Sequence, residues 1–406
     1  MLNEVIHVWQ LKNPKVNIVC GAYTHAAARL MPCGRTLEHW RRKYRRGIPK
    51  DSVVIIDEIS MVPLSLLAVL SRWQLLGTKF VLLGDFKGQE LPIYDGWKIQ
   101  GSIGDTVLVQ QLCNSLNFGM SRNRRCSTDL EHFQFYSNLY KDVDSPEWGL
   151  SLIDARLQYR WGGARFDMAI VKSHHKRRLI NKYKNQEDKR MPGARFVKSV
   201  GHIKNAASQP QDMYLRPGQI LVGCGSSKRI LAGIEYGVID IDDDEITVEM
   251  ELPWRTNDAA RDILEKAGAG DGPEAVAAKK EWKRVQMAED NIRLTYEEAS
   301  RWLRRGYAYT YYSIQGRTIR DRTILLLDST SKHFTMRNLI VGISRAPLGS
   351  QIKIPSVQEE EDFVHGLENV EDEVDLGAPA EEFQEEDVEE YEGGEEEEEE
   401  EDEEED

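Results

Sequence analysis

Cysteine is scarce, with five in 406 residues at positions 20, 33, 113, 126 and 224, and no C-x-x-C pair. This excludes a disulfide-stapled framework and a thiolate zinc site, and reduced thiols fit better. No apolar run approaches the roughly 20 residues of a membrane helix, and the N-terminus lacks the basic start and cleavage site of a secretory leader. A soluble, intracellular chain with no membrane partner is the expectation. Lys and Arg are missing from residues 359–406, which hold 29 of the 68 acids. Without that stretch 39 acids face 53 bases, so the net charge of −15 conceals a body of +14. A basic body with an acidic arm implies a polyanion-binding surface and a segment able to compete for it, or else a plain solubilising tail. So charged a stretch cannot form a core, so residues 358–406 read as a disordered tail that basic proteins could also bind. The dipeptide Gly-Lys never occurs, and with it the G-x-x-x-x-G-K-[ST] loop that cradles phosphates.

What is present centres on Ser52 to Ile93. The apolar run Val53 to Ile56 ends on Asp57-Glu58, and a second run, Phe80 to Leu83, ends on Gly84-Asp85 with Gln89 beyond. Leu64 to Leu76 between them has helical length and spacing, which predicts strand, helix, parallel strand. A right-handed crossover leaves both strand ends on one sheet edge, so Asp57, Glu58, Asp85 and Gln89 should share a crevice. Paired acids there suit a nucleotide-bound magnesium, one holding the hydrated ion and the other acting on an attacking water. A helix-capping pair is the alternative for Asp-Glu taken alone.

Upstream, Val16 to Cys20 predicts a strand running into Thr24 to Leu30, a turn and small-residue helix whose first amides could hold a phosphate. The run Arg41 to Arg46, interleaved with Trp40 and Tyr44, suits single-stranded nucleic acid, with a solvated helix face as the competing reading. Thr106 to Gln110 reads as a strand, Met120 to Arg125 brings three arginines, and Asp129 to Leu139 reads as a helix. Met168 to Lys172 is a further strand, followed by basic residues from His174 to Lys184; no acid or cysteine accompanies His174 and His175 to make a metal site.

Short turn-punctuated β runs from about Pro192 predict a small barrel-like unit, with Asp240 to Glu245 as a hairpin turn. Thr256 to Asn291 is charged and Ala-rich, a helical excursion broken at Gly268 to Gly272. Thr295 and Glu298 form a capping box opening a helix to Arg305. Then come Ala308 to Thr318, a strand from Thr323 to Leu327, and a helix containing Asn338 to Ala346.

In this order the segments resemble superfamily 1 helicases of the RecD-like and PIF-like 5′-to-3′ branch. Thr24 to Leu30 is similar to motif Ia, Asp57 to Met61 to motif II, Gly84 to Gln89 to motif III, Ala308 to Thr318 to motif V, and Ile343 to Ala346 to motif VI. The resemblance implies an α/β fold of two RecA-like parallel-sheet domains with ATP between them and single-stranded DNA across their tops. The implied division is a first domain at 1–115 lacking its P-loop strand, a second at 116–189 and 295–357, an SH3-like β insertion at 190–255, a helical excursion at 256–294 and the tail at 358–406. Asp57 would position Mg2+, Glu58 act on water, Gln89 sense the γ-phosphate, and Arg345 serve as the arginine finger. Arg124 or Arg125 would be the motif IV arginine, and Gly316 would also lie at the nucleotide. Thr24, Arg41, Arg42, Thr310 and Gln315 would meet the DNA or couple it to ATP.

The chain departs from the family pattern in four places, the first being Thr36-Leu37-Glu38 where the family has Thr-Ile-His, with His39 displaced by one place. Three residues separate Asp85 from Gln89 where the family has two, and Tyr312-Ser313 replaces His-Lys. The phosphate loop is missing, as though the chain began just after it. The expected function is an ATP-dependent helicase impaired by that absence, with a non-catalytic DNA-binding or protein-interaction protein as the alternative.

Overall fold

The computed structural model describes residues 6, 8–9, 11–13, 15–31, 34–89, 103–120, 124–201, 208–250 and 291–372. Most of the expected N-terminal helix, nearly all of the 256–294 excursion and the chain after residue 372 lie outside the described residues.

Four strands, β1 (Ile18–Ala22), β2 (Arg35–Thr36), β3 (Val53–Asp57) and β4 (Lys79–Leu82), form an all-parallel sheet in the order β2-β1-β3-β4. The helices that follow them are α1 (His25–Ala28), α2 (Leu37–Lys43), α3 (Leu64–Leu75) and α4 (Val107–Leu112). A parallel sheet must be covered on both faces, and the two-residue period of β3 shows how. Val54 and Ile56 pack with Leu67, Leu70 and Trp73 of α3, whereas Val53 and Ile55 pack with Cys20, Ala27 and Ala28 on the other face.

α4 stands where a strand was expected over Thr106 to Gln110. A short Val-Leu-Val run is ambiguous by periodicity, and here the Thr106 hydroxyl caps a helix by accepting the Val109 N–H at 3.5 Å. Helical spacing then buries Val109 and Leu112 and leaves Val107 73% exposed.

A second parallel sheet, in the order β13-β5-β14-β15, is built from β5 (Met168–Val171), β13 (Ala308–Thr310), β14 (Ile324–Leu326) and β15 (Ile352–Lys353). The helices α5 (Leu130–Leu139), α6 (Trp148–Gln158) and α9 (Met336–Ile343) share the core on one face, while α7 (His174–Lys189) packs on the other.

Between α7 and β13 the chain makes a separate antiparallel unit. β6 (Arg195–Val197) pairs with β7 (Met213–Leu215). β8 (Ile220–Gly223), β9 (Glu235–Ile241), β10 (Glu245–Met250), β11 (Ile292–Thr295) and β12 (Leu303–Arg305) form a five-stranded sheet in the order β11-β10-β9-β8-β12. Asp240 to Glu245 is the expected hairpin connection. The capping box of Thr295 and Glu298 also forms, opening α8 (Tyr296–Trp302). That helix stops three residues before Arg305, because Leu303 to Arg305 pair with β8 instead. Residues 292–305 therefore extend the antiparallel unit well past the 190–255 span, and Leu294, Ala299 and Leu303 sit in its core.

The largest correction concerns the acidic tail. Its first part is helical: α10 (Val357–Asp372) packs against the second sheet. Ser356 and Glu359 make reciprocal bonds at its start, 2.7 and 3.3 Å. Phe363 meets Trp161, Phe166 and Tyr183 edge-on at 5.5 to 6.2 Å between ring centres, and Leu367 is buried. Glu360, 1% exposed, accepts from the Asp328 amide and from the Ser329 hydroxyl at 2.9 Å. Charge alone concealed this amphipathic stretch. No helix among the described residues is long and apolar enough to cross a membrane.

Candidate functional site

Asp57 closes β3, and the chain then bends through Glu58, which takes the left-handed conformation with φ 53°. A non-glycine residue held there is strained, a cost of order 1–3 kcal/mol usually found at functional sites. The strain is fixed from three sides. The Glu58 amide donates to Asp57 Oδ1 at 3.0 Å, the Glu58 carboxylate accepts from the Gln89 amide, and Ser60 Oγ donates to Gln89 Oε1 at 2.6 Å. Gln89 is thus oriented at both ends, despite the longer spacing from Asp85. Burial, and then the adjacent Glu58 charge, push the Asp57 pKa up to about 6. Crowded negative charge of this kind fits a cation arriving with a ligand. Among the described residues no group of three or more His, Cys, Asp or Glu could hold a metal alone.

The 84–89 loop reaches the second sheet. Asp85 accepts from the Lys87 and Gly88 amides through Oδ1, at 3.0 and 2.9 Å, and from the Tyr140 hydroxyl through Oδ2, at 2.5 Å. A β-carbon at Gly88 would collide with the Tyr140 ring, so glycine sets this approach. Arg337 Nε donates to the Lys87 carbonyl at 3.3 Å. Sequence reading missed Tyr140 and Arg337, and nothing local marks them, because their partners lie on the other sheet.

From the second sheet, Gly316 faces Glu58. Its φ is +74°, and a β-carbon there would lie 3.6 Å from Glu58 Oε1 and 3.5 Å from Ala27 Cβ. Arg345, buried at the end of α9, has its pKa lowered to about 10 by burial and then by Arg125, with the Glu58 charge acting in the opposite sense. Its guanidinium donates to the carbonyls of Val341 and Arg317, at 3.0 and 3.3 Å, and to Ser344 Oγ at 2.8 Å. Arg125 braces the same segment through Thr318 Oγ1 and the Ser344 carbonyl, at 2.9 and 2.6 Å, whereas Arg124 is exposed. The structure therefore brings together Asp57, Glu58, Gln89, Gly316 and Arg345 between two parallel sheets.

The residues expected along a nucleic-acid path are more dispersed. Thr24 caps α1 by accepting from the Ala27 amide at 3.2 Å. That helix is covered by the antiparallel unit, where Ala26 joins the core and His25 Nε2 lies 3.4 Å from Ser226 Oγ. Arg41 and Arg42 are exposed on α2 and both pair with Glu38. Trp40 donates to the Cys20 carbonyl at 2.8 Å and stacks on Tyr44, so these rings are engaged with their own domain. Thr310 is buried and bonded to Ser313. Gln315 is 1% exposed, and neither of its amide atoms has a partner.

Two RecA-like parallel sheets with an antiparallel unit inserted in the second give the chain the fold of solved Pif1 helicases. Solved structures carry the likeness. The Pif1 helicase from Candida albicans matches with a TM-score of 0.54 at 16% identity, over 91% of this chain and 92% of that one. Pif1 from Bacteroides bound to ssDNA matches with 0.54 at 16%, over 92% and 91%. The Bacteroides enzyme in complex with ADP-AlF3 and ssDNA matches with 0.50 at 17%, over 87% and 88%. By sequence, the chain matches no protein-family model and none of the curated proteins.

Proposed function

We propose that the chain is a single-stranded-DNA-binding protein of helicase type, its cleft built for ATP hydrolysis coupled to 5′-to-3′ translocation and impaired here by the missing phosphate loop. The convergence of Asp57, Glu58, Gln89 and Arg345 carries this reading. A protein free of hydrolysis has no need for two strand-end acids, an oriented glutamine and a buried arginine in one cleft. Asp57 would hold a magnesium ion arriving with ATP, and that ion would offset charge on the phosphates. Glu58, held by Gln89, would orient the attacking water. Arg345 would have to release its carbonyl partners to face a phosphate. A second reading is a non-catalytic protein that keeps the fold for DNA or partner binding.

The first reading and the DNA-binding form of the second require DNA, which makes binding the first test. Affinity of the full chain for a fluorescent oligo(dT) should fall steeply with salt, each neutralised phosphate contributing a slope of about 0.7 in log–log terms. An affinity that stays flat between low and moderate salt would count against the first reading and leave the second as a partner-binding protein.

The docked α10 sharpens the tail experiment. Residues 373–406 keep 22 acids and no Lys or Arg. Their removal should tighten DNA binding at low salt and leave Tm unchanged. Cutting before Val357 should in addition lower Tm, since it strips the aromatic cluster around Phe363 and the bonds made by Glu360. Equal Tm for both truncations would show that α10 contributes no stability. Unchanged DNA affinity would leave the tail as a solubilising segment or a dock for basic proteins.

A further inference from the structure

α7 lies on the antiparallel unit along a polar seam, and most of that seam is paired. Asn181 holds the Arg305 carbonyl and the Ala308 amide at 3.3 and 3.1 Å, and Asn185 holds the Tyr214 amide at 2.7 Å. Asp188 pairs with Arg305 and Arg216. One turn toward the helix start the pattern breaks. Arg177 is 3% exposed, its buried Nε has no hydrogen-bond partner, and its guanidinium meets no acceptor and no carboxylate among the described residues.

Its surroundings are cationic. Arg304, also buried, lies beside it, with Nε on Ser208 Oγ at 3.0 Å and Nη1 on the Arg305 and Ala308 carbonyls at 2.8 and 3.2 Å. Cys224 is fully buried, and burial keeps its thiol protonated, so it supplies no negative charge. Arg178 stands exposed at the rim, and His174 beside it is neutral, its pKa lowered to about 4 by desolvation and then by Arg177. The Arg304 guanidinium lowers the proton affinity of Arg177, after the larger effect of burial. An arginine taken out of water without a counter-charge is costly unless an anion joins it.

The helix start supplies the rest of a seat. α7 has sixteen residues, and its Ser173 cap takes the Lys176 amide at 3.1 Å. The amides of His174 and His175 precede that bond, on two exposed residues, at a helix start that favours negative charge. A guanidinium fork suits the paired oxygens of a tetrahedral oxyanion better than a point charge does.

We propose that the start of α7, with Arg177 as its floor and Arg304 and Ser208 behind, is a phosphate-binding site at the seam between the second sheet and the antiparallel unit. The phosphate is a phosphodiester of a single strand or a free phosphate. The free-phosphate form stands apart from the DNA-binding reading, and the phosphodiester form rests on it.

The test compares the full chain with Arg177→Met and Arg177→Lys. Thermal melts are run in phosphate-free buffer and with added inorganic phosphate at constant ionic strength, alongside oligo(dT) binding against salt. For a free-phosphate site, phosphate raises the wild-type Tm saturably. Arg177→Met melts no lower than wild type without phosphate and does not respond to it. For a phosphodiester site, phosphate has no effect, but Arg177→Met lowers the salt slope by about 0.7, and Arg177→Lys retains it. An Arg177→Met chain that keeps both the wild-type phosphate response and the wild-type salt slope overturns the site while DNA binding stands. If Arg177→Met does not fold, Arg177→Lys decides: its affinity for phosphate or DNA should fall several-fold for want of the fork, and unchanged affinity for both overturns the site. Absence of DNA binding in the wild type, with a phosphate response lost in Arg177→Met, would sink the helicase-type reading and keep the site.

Discussion

Mixed with ATP, magnesium and single-stranded DNA, the 406-residue chain is expected to release phosphate far more slowly than about one turnover per second, the low end of ordinary enzyme rates. Phosphoryl transfer is mostly a matter of positioning. Asp57, Glu58 and Gln89 are placed for it, but no G-x-x-x-x-G-K-[ST] supplies the amides and lysine that hold the β- and γ-phosphates. Excess ATP should not rescue the rate, because binding and the chemical step both lose those donors. A chain extended at its N-terminus by a strand and such a loop should gain DNA-stimulated turnover. In that extended chain Glu58→Gln should abolish turnover while nucleotide still binds. Arg345→Ala should cost about 10³ to 10⁵ in rate if the arginine swings to the phosphate. Phosphate release measured with and without DNA checks this. Turnover near one per second by the unextended chain, lost in Glu58→Gln, would show that the loop is dispensable.

Asp188→Ala should be the most destabilising single substitution along the α7 seam, at about 3–5 kcal/mol. Asp188 and Arg305 are both buried and ion-paired, and Asp188 also accepts from Arg216 Nε and the Tyr307 hydroxyl, at 3.1 and 3.0 Å. Truncating the acid strands a buried guanidinium, which is why removing one partner costs more than the pair contributes. Replacing both as Asp188→Leu with Arg305→Met should recover much of the loss. Urea titrations of the wild type, Asp188→Leu, Arg305→Met and the double variant give the answer as a double-mutant cycle. A loss below about 1 kcal/mol for Asp188→Ala would mean that water reaches the pair and screens it.

The strand-end acids were legible because continuous apolar runs ending in carboxylates have few other readings, and β3 with its parallel partner β4 stands within a residue of expectation. The same logic misled at Val107 to Val109. Three apolar residues carry no period, and only the Thr106 cap and the burial of Leu112 against α3 decide for helix. In the tail, the count of acids outweighed a signal that was available: Ser356-x-x-Glu359 is a capping box, followed by Phe363 and Leu367 at helical spacing. Contacts across the cleft had no sequence signal. Gly316 against Glu58 and Tyr140 against Asp85 join residues far apart in the chain, and only the packing of two sheets makes them neighbours.

Glu235 accepts from the Tyr309 hydroxyl, from Arg322 at 2.7 Å and from Arg317 at 3.3 Å, and Arg317 also donates to the Gly233 carbonyl. Three grips on a single side chain leave no play between the insertion and the 309–317 segment. Residue 316, next to one of those grips, rests on Glu58. A load applied to the outer sheet is therefore passed to Glu58, at the cleft between the two parallel sheets, without a soft joint in between.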